Sequence, residues 1–309
     1  MLTNKVEGYQ MKTKTKKEAL HRTGIISDVD YKSPKTKVLY WTIFALMCIV
    51  AAICIVPPLW VILSSVKDVK EFYQIPPTII PHSWDFSKVI DTWKEFSFGK
   101  YYINTIIVTV GSVLWSIFSN GLAGYVLSKI KPRGSKVVFV LILASMMIPT
   151  TVSIVPVYKN IIHFPIGGVN LINTFIPMIL MAGCNAFMTI VYKSFFDGIP
   201  TALLEAAELD GCGKIRTFIH IVLPLSMAII FTAIILTFNT AWSDFFWPNL
   251  VLKDRSVYTV IIEVFSIKTS IAQDKVLILL AFALIPPAIL FMIFQKNIMQ
   301  GLNTSGIKG

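Results

Sequence analysis

Residues 203–225 read LLEAAELDGCGKIRTFIHIVLPL. The stretch is about half polar, yet it stands between two long apolar runs. Its local reading is definite. Pro200, just ahead of it, suits the first turn of a helix, where the missing N–H costs nothing. TALLEAAEL is built from strong helix formers. Gly211 follows Asp210 at the place where a helix ends on a left-handed residue. A second short helix can follow from about Lys214, and Pro224 lies near the start of the next apolar run. Residues 197–224 therefore read as helix, glycine turn, helix on a short connection.

What surrounds this connection decides its meaning. The chain has 309 residues, of which 55% are hydrophobic and 15% charged. No Asp, Glu, Lys or Arg occurs between Lys37 and Lys67, Lys100 and Lys129, Lys136 and Lys159, Lys159 and Lys193, Arg216 and Asp244, or Lys275 and Lys296. A helix needs roughly 20 apolar residues to cross about 30 Å of hydrocarbon. Helices of a soluble core carry charges on one face, and these windows carry none. The expected fold is an all-α membrane protein with six transmembrane helices, at about 39–64, 103–127, 137–158, 170–192, 217–241 and 276–295.

The net charge of +11 is explained by placement. With the N-terminus inside, 18 Lys and Arg fall on the cytoplasmic side and 10 on the outside. The positive-inside rule then puts both termini in the cytoplasm. The expected organisation is a basic arm at 1–38, a transmembrane domain at 39–295 and a tail at 296–309. No aromatic residue interleaves with KTKTKK at 12–17, so nucleic acid is not an expected partner. The first apolar run is too long and too late for a cleaved signal peptide. Four cysteines without metal spacing (Cys48, Cys54, Cys184 and Cys212) predict neither a metal site nor disulfides.

The first helix of the connection has the features of a docking element. Ala206 and Ala207 keep its surface low. Leu203, Leu204 and Leu209 offer apolar contact, and Glu205, Glu208 and Asp210 offer negative charge. A helix lying on lipid favours Lys and Arg on its polar face, so acidity favours a protein partner. Residues 65–102 and the stretch AWSDFFWPNLVL, from Ala241, read as outside segments whose aromatics can line the membrane interface. Prolines 57, 58, 149, 156, 177, 224, 286 and 287 are expected to bend spans. Asn104, Ser119, Asn120, Asn173, Asn185 and Asn239 are neutral polar residues within the spans. Bonding between helices is the ordinary role of such groups. Asn120, Asn185 and Asn239 are the candidates for lining a solute route.

The connection resembles the EAA loop of ABC importer permeases. That pattern is Glu-Ala-Ala, three residues, Gly, nine residues, Ile, one residue, Leu-Pro. Here Glu205-Ala206-Ala207, Gly211, Ile221, Leu223 and Pro224 match it without departure. FFDGIPTALL, YYINTIIVTV, MMIPTTVSIVPVY, AWSDFFWPNLVL and the tail FQKNIMQGLNTSGIKG are similar to the carbohydrate members, specifically the maltose-type second permease (MalG-like). The resemblance implies a type I ABC importer permease in a bacterial inner (cytoplasmic) membrane. The implied partners are a homologous permease in a heterodimer, two cytoplasmic ATPase subunits, an extracellular or periplasmic solute-binding protein, the lipid bilayer and a sugar. It implies that Leu203, Leu204, Glu205, Ala206, Ala207, Asp210 and Gly211 couple to the ATPase. The tail, through Gly306, Lys308 and Gly309, would reach between the ATPase subunits.

No cofactor is expected on this chain; ATP and Mg belong to the partner ATPase. GCGKI at 211–215 has neither the earlier Gly nor the Ser or Thr of a phosphate-binding loop. The chain is thus expected to be a transport subunit without its own ATPase site. Alternatives are a non-sugar cargo, or a secondary transporter. The latter would ordinarily show more spans in repeats, and ion coupling would place a charge within the bilayer.

Overall fold

A computed structural model describes residues 34–305, with side chains through 295. Gly306, Lys308 and Gly309 of the tail, and the arm up to residue 33, lie outside the described residues. The chain divides into two units, Met1–Leu59 and Trp60–Gly309. Helix α1, Pro34–Ser65, starts in the first unit. Every residue from 37 to 59 on it is exposed. An apolar helix with no protected face is the pattern of a segment solvated by lipid.

Among the described residues, ten main helices frame the second unit, with short turns of helix at Val69–Phe72, Phe246–Val251 and Arg255–Val257 beside them. The main helices are α2 (Phe86–Glu95), α3 (Phe98–Ile130), α4 (Ser135–Ser145), α5 (Thr150–Ile162) and α6 (Ile176–Asp197). Then come α7 (Thr201–Leu209), α8 (Lys214–Leu225), α9 (Met227–Trp242), α10 (Val260–Ile267) and α11 (Gln273–Ser305). Among the described residues there is no strand, only an isolated antiparallel bridge between Lys67 and Trp84.

Four helices, α1, α3, α6 and α11, are long and apolar enough to cross a membrane. The count reaches six if each of two bent pairs is one span. The expected span 137–158 is α4 and α5, bent by 108°. Their 11 and 13 residues reach only about 16 and 20 Å at 1.5 Å per residue. The expected span 217–241 is likewise divided, because α8 turns 86° from α9 at Ser226. The expected prolines divide into two groups. Pro57-Pro58 and Pro286-Pro287 lie inside uninterrupted helices. Both breaks fall at expected prolines, at Met146–Pro149 and beside Pro224.

Helix α3 is the centre of the unit, and its packing inverts the soluble pattern. Its inward face carries Thr105, Thr109, Ser112, Ser116, Asn120, Gly121 and Gly124, all buried. Its outward face carries Ile103, Ile106, Val110 and Leu114, all exposed. Lipid is as apolar as leucine, so helices in a bilayer associate through small residues and hydrogen bonds. At Gly124 a Cβ would lie 2.7 Å from Tyr192 Cβ and 2.9 Å from the Lys193 backbone nitrogen. That approach sets the crossing of α3 with α6.

The end of the unit away from residues 197–224 is held by polar bonds. Asn104 donates to the carbonyls of Ser256 and Tyr258 at 3.1 and 2.9 Å. Glu263, fully buried, accepts from Arg255 Nε at 3.1 Å. Glu71 gathers the loop that follows it: it accepts from Thr78 Oγ1 at 2.7 Å and from the His82 amide at 3.0 Å. These bonds, the Thr78 hydroxyl first, hold the Glu71 carboxyl down at about 2. Helix α2 packs through Trp93, whose ring lies 4.8 Å from Phe282 and 5.1 Å from Tyr102.

Candidate coupling elbow

The segment read from the sequence as helix, turn, helix has that form. Pro200 caps α7 in an extended conformation, and Asp210 closes it. Gly211 has φ +76°. The Gly211 amide donates to Glu208 O at 3.0 Å, and the Cys212 amide to Ala207 O at 2.9 Å. This pair of bonds is the Schellman motif, which satisfies carbonyls that a helix end leaves free. An L-residue with a side chain is strained at such a φ. After Gly213 the chain enters α8, and Lys214 pairs with Glu208 across the turn. Both partners are about half exposed, so this pair adds little stability.

The elbow is seated by one face. Ala207 is 4% exposed. Leu204, three residues earlier, is partly buried against a cluster holding Tyr125, Tyr192, Phe196, Phe218 and Val222. The spacing of three places both on one side of the helix. The rest of the helix surface presents Leu203, Glu205, Ala206, Glu208, Leu209 and Asp210, all exposed, with Leu209 at 89%. The two alanines therefore differ. Ala207 is committed to the chain's own core, and Ala206 lies on the open surface. The sequence treats them alike because a single helix carries no mark of which side its own bundle takes.

The root of the elbow is pinned to α3. Lys129 Nζ donates to Ile199 O at 2.6 Å. Ser128 Oγ donates to Asp197 Oδ1 at 2.7 Å, and Lys193 Nζ to Asp197 Oδ2 at 2.7 Å. None of these contacts was singled out in the sequence. Lys129 and Lys193 entered it only as charges that set orientation.

With the elbow in place, the comparison with known proteins is decisive. Residues 112–304 match the family described as the binding-protein-dependent transport system inner membrane component. The chain belongs to this family. A permease named for melibiose, raffinose and stachyose import, MelC of Bacillus subtilis, is 29% identical over 270 residues. That alignment covers 86% of this chain and 96% of the relative. The sn-glycerol-3-phosphate permease UgpE of Yersinia pestis is 29% identical over 272 residues, covering 83% and 94%. In three dimensions the chain matches a crystal structure of a bacterial ABC transporter involved in import of the acidic polysaccharide alginate. The TM-score is 0.73 at 22% identity, over 85% of this chain and 98% of that one. The match establishes the ABC importer permease fold.

Within this binding-protein-dependent permease the three candidate route asparagines part company. Asn120 is 1% exposed, and its amide is fully engaged. It donates to Ser116 Oγ and Ala182 O at 2.9 Å, and accepts from the Asn185 amide at 3.1 Å. It thereby bridges α3 to the interruption in α6 at Gly183–Asn185. Asn185 is exposed, while its side chain caps the second half of α6 by accepting from the Met188 amide at 3.0 Å. Asn239 on α9 is exposed and, among the described residues, makes no side-chain hydrogen bond.

Proposed function

We propose that this chain is the permease subunit of an ATP-driven, binding-protein-dependent importer, and that its cargo is a sugar or a similarly hydroxyl-rich solute. The observation that carries the reading is the elbow: an acidic helix with an open Ala206, ended by a left-handed Gly211, in a chain of this family. An ATPase groove accepts Leu203, Glu205, Ala206, Leu209 and Asp210. Leu204 and Ala207 seat the same helix on the permease. Closure of two ATPase subunits on ATP and Mg moves the elbow and switches the cavity between inward and outward access. A homologous permease completes the membrane dimer, and an external binding protein delivers the solute.

In this arrangement the elbow and both termini face the cytoplasm of a bacterial cell, and Gly306, Lys308 and Gly309 meet the ATPase pair. Asn185 and Asn239 offer exposed amides to the solute. Asn120 holds the Asn185 backbone from behind. The sugar assignment is supported by the import function named for MelC. A polyol phosphate is the second reading, supported by UgpE.

Reconstitution with the cognate ATPase and binding protein tests the proposal. Vesicles are offered labelled melibiose, raffinose, stachyose and sn-glycerol-3-phosphate. ATP-dependent accumulation of an oligosaccharide is expected; its absence with every solute refutes the reading. Glu205→Lys reverses a charge on the open face and is expected to weaken co-purification of the ATPase. An unchanged complex removes that acid from the contact.

A further inference from the structure

Two π turns meet at the root of the elbow. One ends α3 at Val126–Ile130, and the other occupies α8 at Phe218–Val222. Such turns are rare and mark functional positions more often than ordinary helix does. The Tyr125 and Phe218 rings stack with centroids 5.2 Å apart, and Phe218 rests over Gly121. Beside this contact stands the polar clamp. Lys129 Nζ reaches Ile199 O at 2.6 Å and Asp197 O at 3.4 Å. Those carbonyls lie at the end of α6, where a helix has unsatisfied acceptors and negative potential. Ser128, buried, holds the Asp197 carboxylate from the same turn of α3.

Both legs of the elbow therefore end on one turn of one helix. The leg through α7 begins at Pro200, next to Ile199. The leg through α8 arrives at Phe218, on Tyr125. The cluster of Tyr192, Phe196 and Val222 already supplies cohesion here. Charge-assisted bonds add geometric definition that apolar contact lacks. We propose that the last turn of α3 receives the motion of the elbow, and that Lys129 is a positioning residue for coupling. The inference rests on the importer reading above.

The test uses the complete complex in vesicles and reads solute moved per ATP hydrolysed, with the oligosaccharide that supports wild-type uptake. Lys129→Met keeps the length of the stem and removes the donors. It is expected to lower the ratio roughly fivefold or more, the low end of measured couplings between sites, with complex assembled in normal amount. Lys129→Arg restores the donors and is expected to restore the ratio. A purely structural role lowers the yield of complex and leaves the ratio alone. An assembled Lys129→Met complex at the wild-type ratio overturns the proposal. Should that variant fail to assemble, Ser128→Ala decides: a reduced ratio supports the clamp, and a wild-type ratio overturns it. Wild-type uptake in the same vesicles reports on the importer reading by itself.

Discussion

Replacing Gly211 separates two reasons for a glycine at the turn of the elbow. A Cβ built at this position meets nothing within 4 Å, so the chain itself has room for a side chain. The backbone does not, because φ is +76°. For an L-residue the left-handed conformation costs about 1–2 kcal/mol, less for Asn. Escaping that strain opens the turn and gives up two backbone bonds, Gly211 to Glu208 and Cys212 to Ala207. Each is worth about 1 kcal/mol net, so strain and bonds are nearly balanced in a Gly211→Ala chain. The capped geometry then loses a factor of roughly 5–30 against open ones. The assay is ATPase co-purification titrated against permease, together with ATP-driven uptake. Binding should fall in the order Gly, Asn, Ala, Val, with insertion into the membrane unchanged. If Asn proves as harmful as Val, side-chain size against the partner is the cause and the backbone argument is refuted. If Val behaves as wild type, the docking geometry does not use this turn.

Gly124→Ala drives a Cβ into the Tyr192 and Lys193 backbone and is expected to cost about 1–3 kcal/mol; thermal inactivation in detergent should come earlier than for Gly213→Ala, whose new Cβ meets nothing within 4 Å. Asn120→Ala leaves the part-buried Ala182 carbonyl and the Asn185 backbone N–H without their partner. Each lost bond is worth about 0.5–1.5 kcal/mol at such sites, and a thermal stability equal to wild type would show that water replaces the amide. Glu71, held at about 2, has a folded pKa below its unfolded value of about 4.3. Its grip on the loop to Ser83 is thus complete above the unfolded value and lost as pH falls toward 2. Protease cleavage between Tyr73 and Trp84 should rise over that window, and Glu71→Gln should show the same sensitivity at neutral pH.

Much of the elbow was legible in the sequence because its causes are local. Helix-forming residues after Pro200, a glycine beyond Asp210, and a second start near Lys214 each act within a few residues. The apolar windows were legible for the same reason, since bilayer thickness acts on one segment at a time. Proline marked both breaks, at Pro149 and beside Pro224, yet a proline alone does not make one. Pro57-Pro58 and Pro286-Pro287 stand inside helices that continue past them. The bends at Met146–Pro149 and Ser226 mark where the chain turns between differently directed segments.

The candidate solute residues show the other limit. Asn120, Asn185 and Asn239 are one residue type in one kind of context, and the sequence offers no ground to separate them. Folding gives Asn120 to the contact of α3 with the interrupted α6, and leaves Asn239 exposed. Likewise Ala206 and Ala207 diverge only because α7 must seat one side on the bundle.

The sequence by itself determined that the chain enters a membrane, where its polar elbow lies, and which residue turns it; composition and short-range backbone preference suffice for that. Only the tertiary structure decided which face of the elbow stays open, and that Lys129 and Ser128 grip its root. Those outcomes depend on groups some 70 residues apart being brought within hydrogen-bond distance, 2.6 Å for Lys129 and Ile199, and no local preference encodes such a meeting.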